Sequence, residues 1–223
     1  MTMQSHSDVG RALLGDRIVA VIRLAREKDG LPVVRALCDG GVQTVEITLT
    51  TPGAADLIQR IRHEIPEALV GAGSVLTCKD VDRCLAAGAE FLVSPILDEH
   101  VLSHALEQNA FFCPGTFTPS EACRAWTLGA PLVKVFPAAR LGPKYVSDMK
   151  APMPFLRLMP TGGITAETAR DFILAGADAL GAGSWLTPRS TIESGHLELV
   201  RERAMQLREA VSDAVSPAEE ERG

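Results

Sequence analysis

Leu128-Gly129-Ala130, then Pro131, then Leu132-Val133-Lys134-Val135-Phe136: this stretch reads as the end of a helix followed at once by a buried strand. Glycine tolerates the left-handed conformation that stops a helix, and the apolar run after it suits a strand covered on both faces. Working outward, the same phrase occurs three more times. Gly40-Gly41-Val42 precedes Thr44-Val45-Glu46-Ile47-Thr48, Ala87-Gly88-Ala89 precedes Phe91-Leu92-Val93-Ser94, and Ala175-Gly176-Ala177 precedes Ala179-Leu180-Gly181-Ala182. Gly41, Gly88, Gly129 and Gly176 are spaced by 47, 41 and 47 residues. Such a spacing is too long for one strand–helix unit and suits two. Further strand candidates lie between the marked ones, at Ile18–Ile22, Ala68–Ala72, Phe111–Pro114 and Phe155–Pro160, making eight.

Amphipathic segments fill the intervals: Ala54–Ile65, Val81–Ala87, Val101–Asn109, Pro119–Leu128 and Ala166–Ala175, with Pro119 and Thr165 as helix-start residues. Regular alternation of strand and helix predicts an α/β fold, specifically a (β/α)8 TIM barrel. The expected organisation is a single domain over residues 1–223, with an N-terminal extension at about 1–15 and a frayed C-terminal tail at about 216–223. An open doubly wound sheet of this length uses fewer strands and often carries Gly-x-Gly-x-x-Gly after the first. This chain has Arg23-Leu24-Ala25-Arg26 there.

Composition narrows the function. Apolar residues make up 46% of the chain and aromatics only 4%, so the core is built from Val, Leu, Ile and Ala. A net charge of -6 without a basic stripe argues against a nucleic-acid partner. No run of about 18 apolar residues is available to span a membrane, and the N-terminus lacks a basic region followed by an apolar core. Five cysteines without a Cys-x-x-Cys spacing fit buried thiols in a reducing, cytoplasmic compartment. His100 and His104 stand four apart, but no third ligand accompanies them, so no metal is expected.

Charge inside the predicted strands locates the chemistry. Of the five lysines, Lys28, Lys79, Lys144 and Lys150 have polar or loop-like surroundings, whereas Lys134 sits among Leu, Val, Val and Phe. Desolvation there favours the neutral amine that attacks carbonyls. Glu46 is its counterpart, a carboxylate in the middle of the second strand, placed to shuttle protons beside the amine. A buried Lys134–Glu46 ion pair that only orders the barrel is the structural alternative. Pro160-Thr161-Gly162-Gly163-Ile164 and Gly181-Ala182-Gly183-Ser184-Trp185 close the last two strands, where barrel enzymes often bind phosphate on backbone amides. The same glycines also suit tight turns. Arg23 ends the first strand and is a candidate carboxylate clamp. Thr48, Ser74, Thr116 or Thr118, and Thr161 offer hydroxyls at strand ends, where hydroxyls equally cap helices.

From about Ile18 to about Leu186 the chain resembles the 2-keto-3-deoxy-6-phosphogluconate (KDPG) and 4-hydroxy-2-oxoglutarate (KHG) aldolases. The motifs are Val45-Glu46-Ile47-Thr48, Gly71-Ala72-Gly73-Ser74-Val75-Leu76, Val93-Ser94-Pro95, Pro114-Gly115 with Thr118-Pro119-Ser120-Glu121, Lys134-Val135-Phe136-Pro137, Leu141-Gly142-Pro143, Pro160-Thr161-Gly162-Gly163 and Gly183-Ser184. The resemblance implies a trimer of (β/α)8 barrels acting on a small 2-keto acid. It implies an imine on Lys134 with no separate cofactor, Glu46 as acid/base, and a substrate-binding set that includes Pro95 and Gly183. Where the best-known bacterial members have arginine after Thr-Leu to hold the substrate carboxylate, this chain has Thr50. Arg23 is the expected substitute. The implied reaction is KDPG cleavage to pyruvate and D-glyceraldehyde 3-phosphate, with KHG as a further substrate. The rivals are the galactonate epimer, a non-aldolase reaction on a sugar phosphate, and an inactive ligand-binding module.

Overall fold

The recurrent helix-stop glycines adopt the conformation that their position demands. Gly41, Gly88, Gly129 and Gly176 have φ between 84° and 99°, where a side chain is strained. A computed structural model of the chain describes residues 6–220, with side chains over 8–215. In chain order it contains α1 (His6–Asp16), β1 (Ile18–Ile22), α2 (Gly30–Asp39), β2 (Thr44–Thr48), α3 (Ala54–Glu64), β3 (Leu69–Gly73), α4 (Cys78–Ala86), β4 (Phe91–Val93), α5 (Glu99–Glu107) and β5 (Phe111–Cys113). There follow β6 (Gly115–Thr116), α6 (Pro119–Thr127), β7 (Val133–Val135), α7 (Gly142–Lys150), β8 (Leu158–Pro160), α8 (Ala166–Leu174), β9 (Leu180–Ala182), α9 (Arg189–Ser194) and α10 (Leu197–Glu220).

The α/β class is as expected, and all strand pairs are parallel. They form two curled sheets, β5-β4-β3-β2-β1-β9 and β6-β7-β8. An isolated parallel bridge, Thr161 to Gly181, links the end of β8 to β9. One difference from the expected eight strands is local: the segment Phe111–Pro114 does not continue as one strand. Proline has no N–H to donate, and the Pro114 carbonyl instead accepts the Lys134 N–H at 2.9 Å. Phe111–Cys113 therefore pairs with β4, and Gly115–Thr116 pairs with β7. Likewise β8 begins at Leu158 rather than at Phe155, whose ring is half exposed and lies 6.1 Å from that of Trp126.

Alternation along the strands sorts the core into two layers. Val45, Ile47, Val133, Val135 and Leu180 point outward into the shell of helices. Val19, Phe91, Val93, Phe111, Cys113, Leu132, Met159 and Ala179 fill the inside of the curl, where Val9 and Leu13 of α1 join them. The segment expected as an extension at about 1–15 thus begins, from His6, as a helix packed against one end of the interior. The expected tail at about 216–223 lies outside the residues whose side chains are described.

Helix starts follow the sequence signals. Thr118 and Thr165 are N-caps with reciprocal bonds to Glu121 and Thr168, and Pro119 occupies the first turn of α6. Among the described residues no helix is long and apolar enough to cross a membrane, and no group of three or more His, Cys, Asp or Glu could hold a metal ion. His104 instead contacts Asp82 at 2.8 Å.

Candidate active site

Residues two apart on a strand share a face, so Lys134 stands on the interior side, one step beyond the core residue Leu132. Its neighbours in register are Gly115 and Met159. The residue is 5% exposed. Its backbone is fixed at both ends: the N–H donates to Pro114, and the carbonyl accepts from the Thr116 hydroxyl at 3.1 Å. Its Nζ lies 5.3 Å from the centre of the Phe136 ring, so the aromatic immediately after β7 forms part of the amine's surroundings.

Glu46 enters the same interior from β2, in register with Val21 and Gly71. It is 1% exposed, and burial pushes its carboxyl above the ordinary value of 4.5; the positive charges of Lys134 and Arg23 pull it back only in part. Its Oε2 has no hydrogen-bond partner. Among the described residues no hydrogen bond or contact ion pair joins Glu46 to Lys134. The pair therefore shares an interior and is coupled by charge, with Lys134 the larger of the two influences that lower Glu46, but without the direct contact of a structural salt bridge. Gly73 makes room for it, because a Cβ at that position would sit 1.8 Å from Glu46 Oε1 and 2.5 Å from its Cδ. Cys113 completes the floor, its thiol driven up chiefly by burial and also influenced by Lys134 and Glu46.

A cavity of 490 Å³ opens beside this buried pair, and Arg23, Thr161, Gly162, Gly163, Gly183 and Ser184 all line it. Lys134 and Glu46 do not line it themselves; Phe136, which does, lies against Lys134. Gly162 and Gly163 have φ of 94° and 75°, and a Cβ on Gly163 would meet Ala139 Cβ at 2.6 Å, so this loop excludes side chains near the cavity wall. Thr161 Oγ1 fits because the neighbouring strand has Gly181, whose Cβ would approach it to 2.2 Å.

Arg23 reaches across to Thr50, the position where the resemblance implies an arginine. Its Nε donates to Thr50 Oγ1 at 3.2 Å, Thr50 Oγ1 lies 2.9 Å from Thr48 Oγ1, and the Thr48 hydroxyl bonds the Ile22 carbonyl at 3.1 Å. Thr48 thus orients Thr50 and, through it, Arg23. Ser74 follows β3 with φ of 61°, and Pro95 packs its carbonyl group against Gly115; neither lines the cavity. The Thr118 hydroxyl is engaged in the α6 cap, accepting from the Glu121 N–H and donating to its carboxylate.

Four neighbours of this site have roles that the sequence does not announce. Gly73 belongs to a motif that gives it no role, Phe136 reads in the sequence as an apolar neighbour of Lys134 and not as a cavity wall, and Trp185 and Arg189 line the cavity beyond Ser184. Arg203 of α10 holds Trp185 from outside, through its carbonyl and by lying 5.3 Å from its ring. Only the adjacency of Trp185 and Arg189 to the Gly183-Ser184 loop was a usable signal.

Residues 9–202 match the family described as "Aldolase: KDPG and KHG aldolase". The chain is 37% identical over 198 residues to the KHG/KDPG aldolase of Escherichia coli (strain K12), covering 88% of this chain and 92% of that protein. It is 35% identical over 196 residues to the 2-dehydro-3-deoxy-phosphogluconate aldolase of Treponema pallidum (strain Nichols), covering 87% and 93%. Among solved structures, KDPG aldolase from Legionella pneumophila, with pyruvate captured as a covalent carbinolamine, superposes with a TM-score of 0.83 at 29% identity, covering 92% of this chain and 98% of that one. With the buried lysine, the buried carboxylate and the glycine-walled cavity already in place, these matches over nearly the whole chain make it a member of the KDPG and KHG aldolase family.

Proposed function

We propose that this chain is a class I aldolase that cleaves KDPG to pyruvate and D-glyceraldehyde 3-phosphate through an imine on Lys134, and that it also acts on KHG. The observation that carries this reading is the presence of a buried amine and a buried carboxylate in one interior, without a contact ion pair, beside a cavity walled by Arg23 and two glycine loops.

In this mechanism Lys134 Nζ attacks the C2 ketone, and Glu46 passes protons while the carbinolamine loses water. The resulting iminium draws electrons, so when Glu46 takes the proton of the C4 hydroxyl, directly or through water, the C3–C4 bond breaks toward the imine. Glyceraldehyde 3-phosphate leaves. The enamine is protonated at C3, and water returns to release pyruvate and the free amine. Burial suits Glu46 to this exchange, since a carboxyl held above its ordinary value is better matched to proton transfer near neutrality. Arg23 and Thr161 hold the substrate carboxylate, and Gly162, Gly163 and Ser184 receive the distal phosphate.

The same reading makes the two sheets parts of one eight-stranded barrel. It is supported by the unbroken chain from β5 through Pro114 to β6 and by the bridge and the Gly162 N–H to Gly181 carbonyl bond between β8 and β9. The described residues 6–220 then constitute one domain. A trimer is supported by Leu76, Ile96 and Phe117, large apolar side chains left about half exposed just beyond β3, β4 and β6. The cytoplasmic placement is supported by five cysteines that are all free thiols. The imine itself supplies the electron sink, so no cofactor enters the scheme.

Incubation with pyruvate, borohydride reduction and peptide mapping by mass spectrometry tests the reading. A reduced adduct is expected on Lys134 and is lost in Lys134→Ala; its absence from the wild-type protein would overturn the mechanism. Turnover of KDPG, its C4 epimer and KHG then ranks the substrates.

A further inference from the structure

The cavity has two charged residues among those that line it, Arg23 and Arg189, and no carboxylate. Arg23 is engaged at one end through Thr50 and contributes to the potential at Glu46. Arg189 belongs to the first turn of α9, five residues beyond Ser184, and lines the same cavity as Gly162, Gly163, Gly183 and Ser184. The glycine loops offer amide dipoles but no full positive charge to a doubly charged phosphate. Arg189 brings one. Its present partner is Glu193, one helical turn away, with Nε 2.7 Å from Oε1. The Arg189 side chain is 76% exposed and that of Glu193 44%, so this contact is an exposed i,i+4 pair of small net stability. Phosphate is the stronger rival for a guanidinium, because it carries more charge than the carboxylate while offering the same bidentate acceptor geometry.

We propose that Arg189 is the cation of the phosphate end of this site, held by Glu193 in the empty enzyme and transferred to the distal phosphate on binding, so that it sets the preference for phosphorylated over unphosphorylated keto acids. This rests on the aldolase reading above. It adds a residue outside the glycine loops and a reason for discrimination. A substrate without the phosphate leaves Arg189 on Glu193 and gains nothing from it. Exchange of one ion pair for another also keeps the arginine ordered before the ligand arrives, which lowers the entropy lost on binding.

The test compares the wild type with Arg189→Ala, Arg189→Lys and Glu193→Gln, using 2-keto-3-deoxygluconate with and without its 6-phosphate, and inorganic phosphate as a binding probe by calorimetry. In Arg189→Ala the ratio of kcat/KM for the phosphorylated to the unphosphorylated substrate should fall about three- to tenfold, carried by KM, and phosphate affinity should fall by a similar factor. Arg189→Lys should recover part of the ratio, since it keeps the charge and loses the fork. Glu193→Gln should raise phosphate affinity by releasing the arginine. An unchanged ratio together with unchanged phosphate affinity in Arg189→Ala overturns the proposal. Failure of pyruvate to label Lys134 in the wild type would overturn the aldolase reading instead, and the phosphate titration still decides the role of Arg189.

Discussion

Gly73→Ala is the most demanding test of the carboxylate's role, because the three atoms nearest to the added methyl group all belong to Glu46. A Cβ at this position would lie 1.8 Å from Glu46 Oε1, 2.5 Å from Cδ and 2.6 Å from Cγ, against an ordinary contact of 3.4–4 Å. The carboxylate must therefore move by about 1.5 Å or β3 must yield, and the clash with Cγ prevents a simple rotation of the terminal group. The backbone at Gly73 is not in the left-handed region, so alanine brings no conformational strain of its own. Overpacking of this kind costs about 1–3 kcal/mol of stability. Misplacing a reacting group by about 1 Å reduces turnover about 100-fold. The expected enzyme is folded, somewhat less stable, and slow, and it still forms a reducible pyruvate adduct on Lys134. Pyruvate release followed with lactate dehydrogenase, alongside borohydride trapping and urea unfolding, separates these effects. Turnover within about threefold of wild type, with the protein folded, would refute the placement of Glu46 as the proton carrier.

Three further outcomes follow from the same geometry. Glu46→Gln should lose about 10²- to 10⁴-fold in kcat while retaining the Lys134 adduct. The same variant should also be more stable than wild type at neutral pH. The folded carboxyl is raised above 4.5, so the native state binds the extra proton, wild-type stability falls as pH rises beyond that value, and glutamine mimics the protonated form; urea midpoints that converge near pH 4 and diverge toward pH 7 check the sign. Thr118→Ala should lower stability by about 1 kcal/mol through loss of the α6 cap; a raised KM for KDPG at unchanged melting temperature would instead return Thr118 to the substrate.

Much of the site was legible because charge inside an apolar strand is an anomaly that a linear reading detects. Lys134 among Leu132, Val133, Val135 and Phe136, and Glu46 between Val45 and Ile47, declare themselves without coordinates. Period-2 alternation then puts each on one face of its strand. The glycine loops after Met159 and Leu180 were equally visible, since their composition leaves backbone exposed to a ligand. Thr118 was less tractable: a hydroxyl at a strand end is also a hydroxyl before a helix, and the reciprocal bond to Glu121 settles its present use.

By itself, then, the sequence determined the α/β class, the helix stops at Gly41, Gly88, Gly129 and Gly176, and the identity of the amine and the carboxylate, because each depends on local periodicity or on one residue against its neighbours. Tertiary structure alone decided that Glu46 and Lys134 share an interior without a contact ion pair, that Gly73 vacates the volume of the carboxylate, that Thr48 and Thr50 hold Arg23, and that Arg189 turns toward the same cavity as Gly162. These are relations between strands far apart in the chain. They arise from register and packing, which no single stretch of sequence contains.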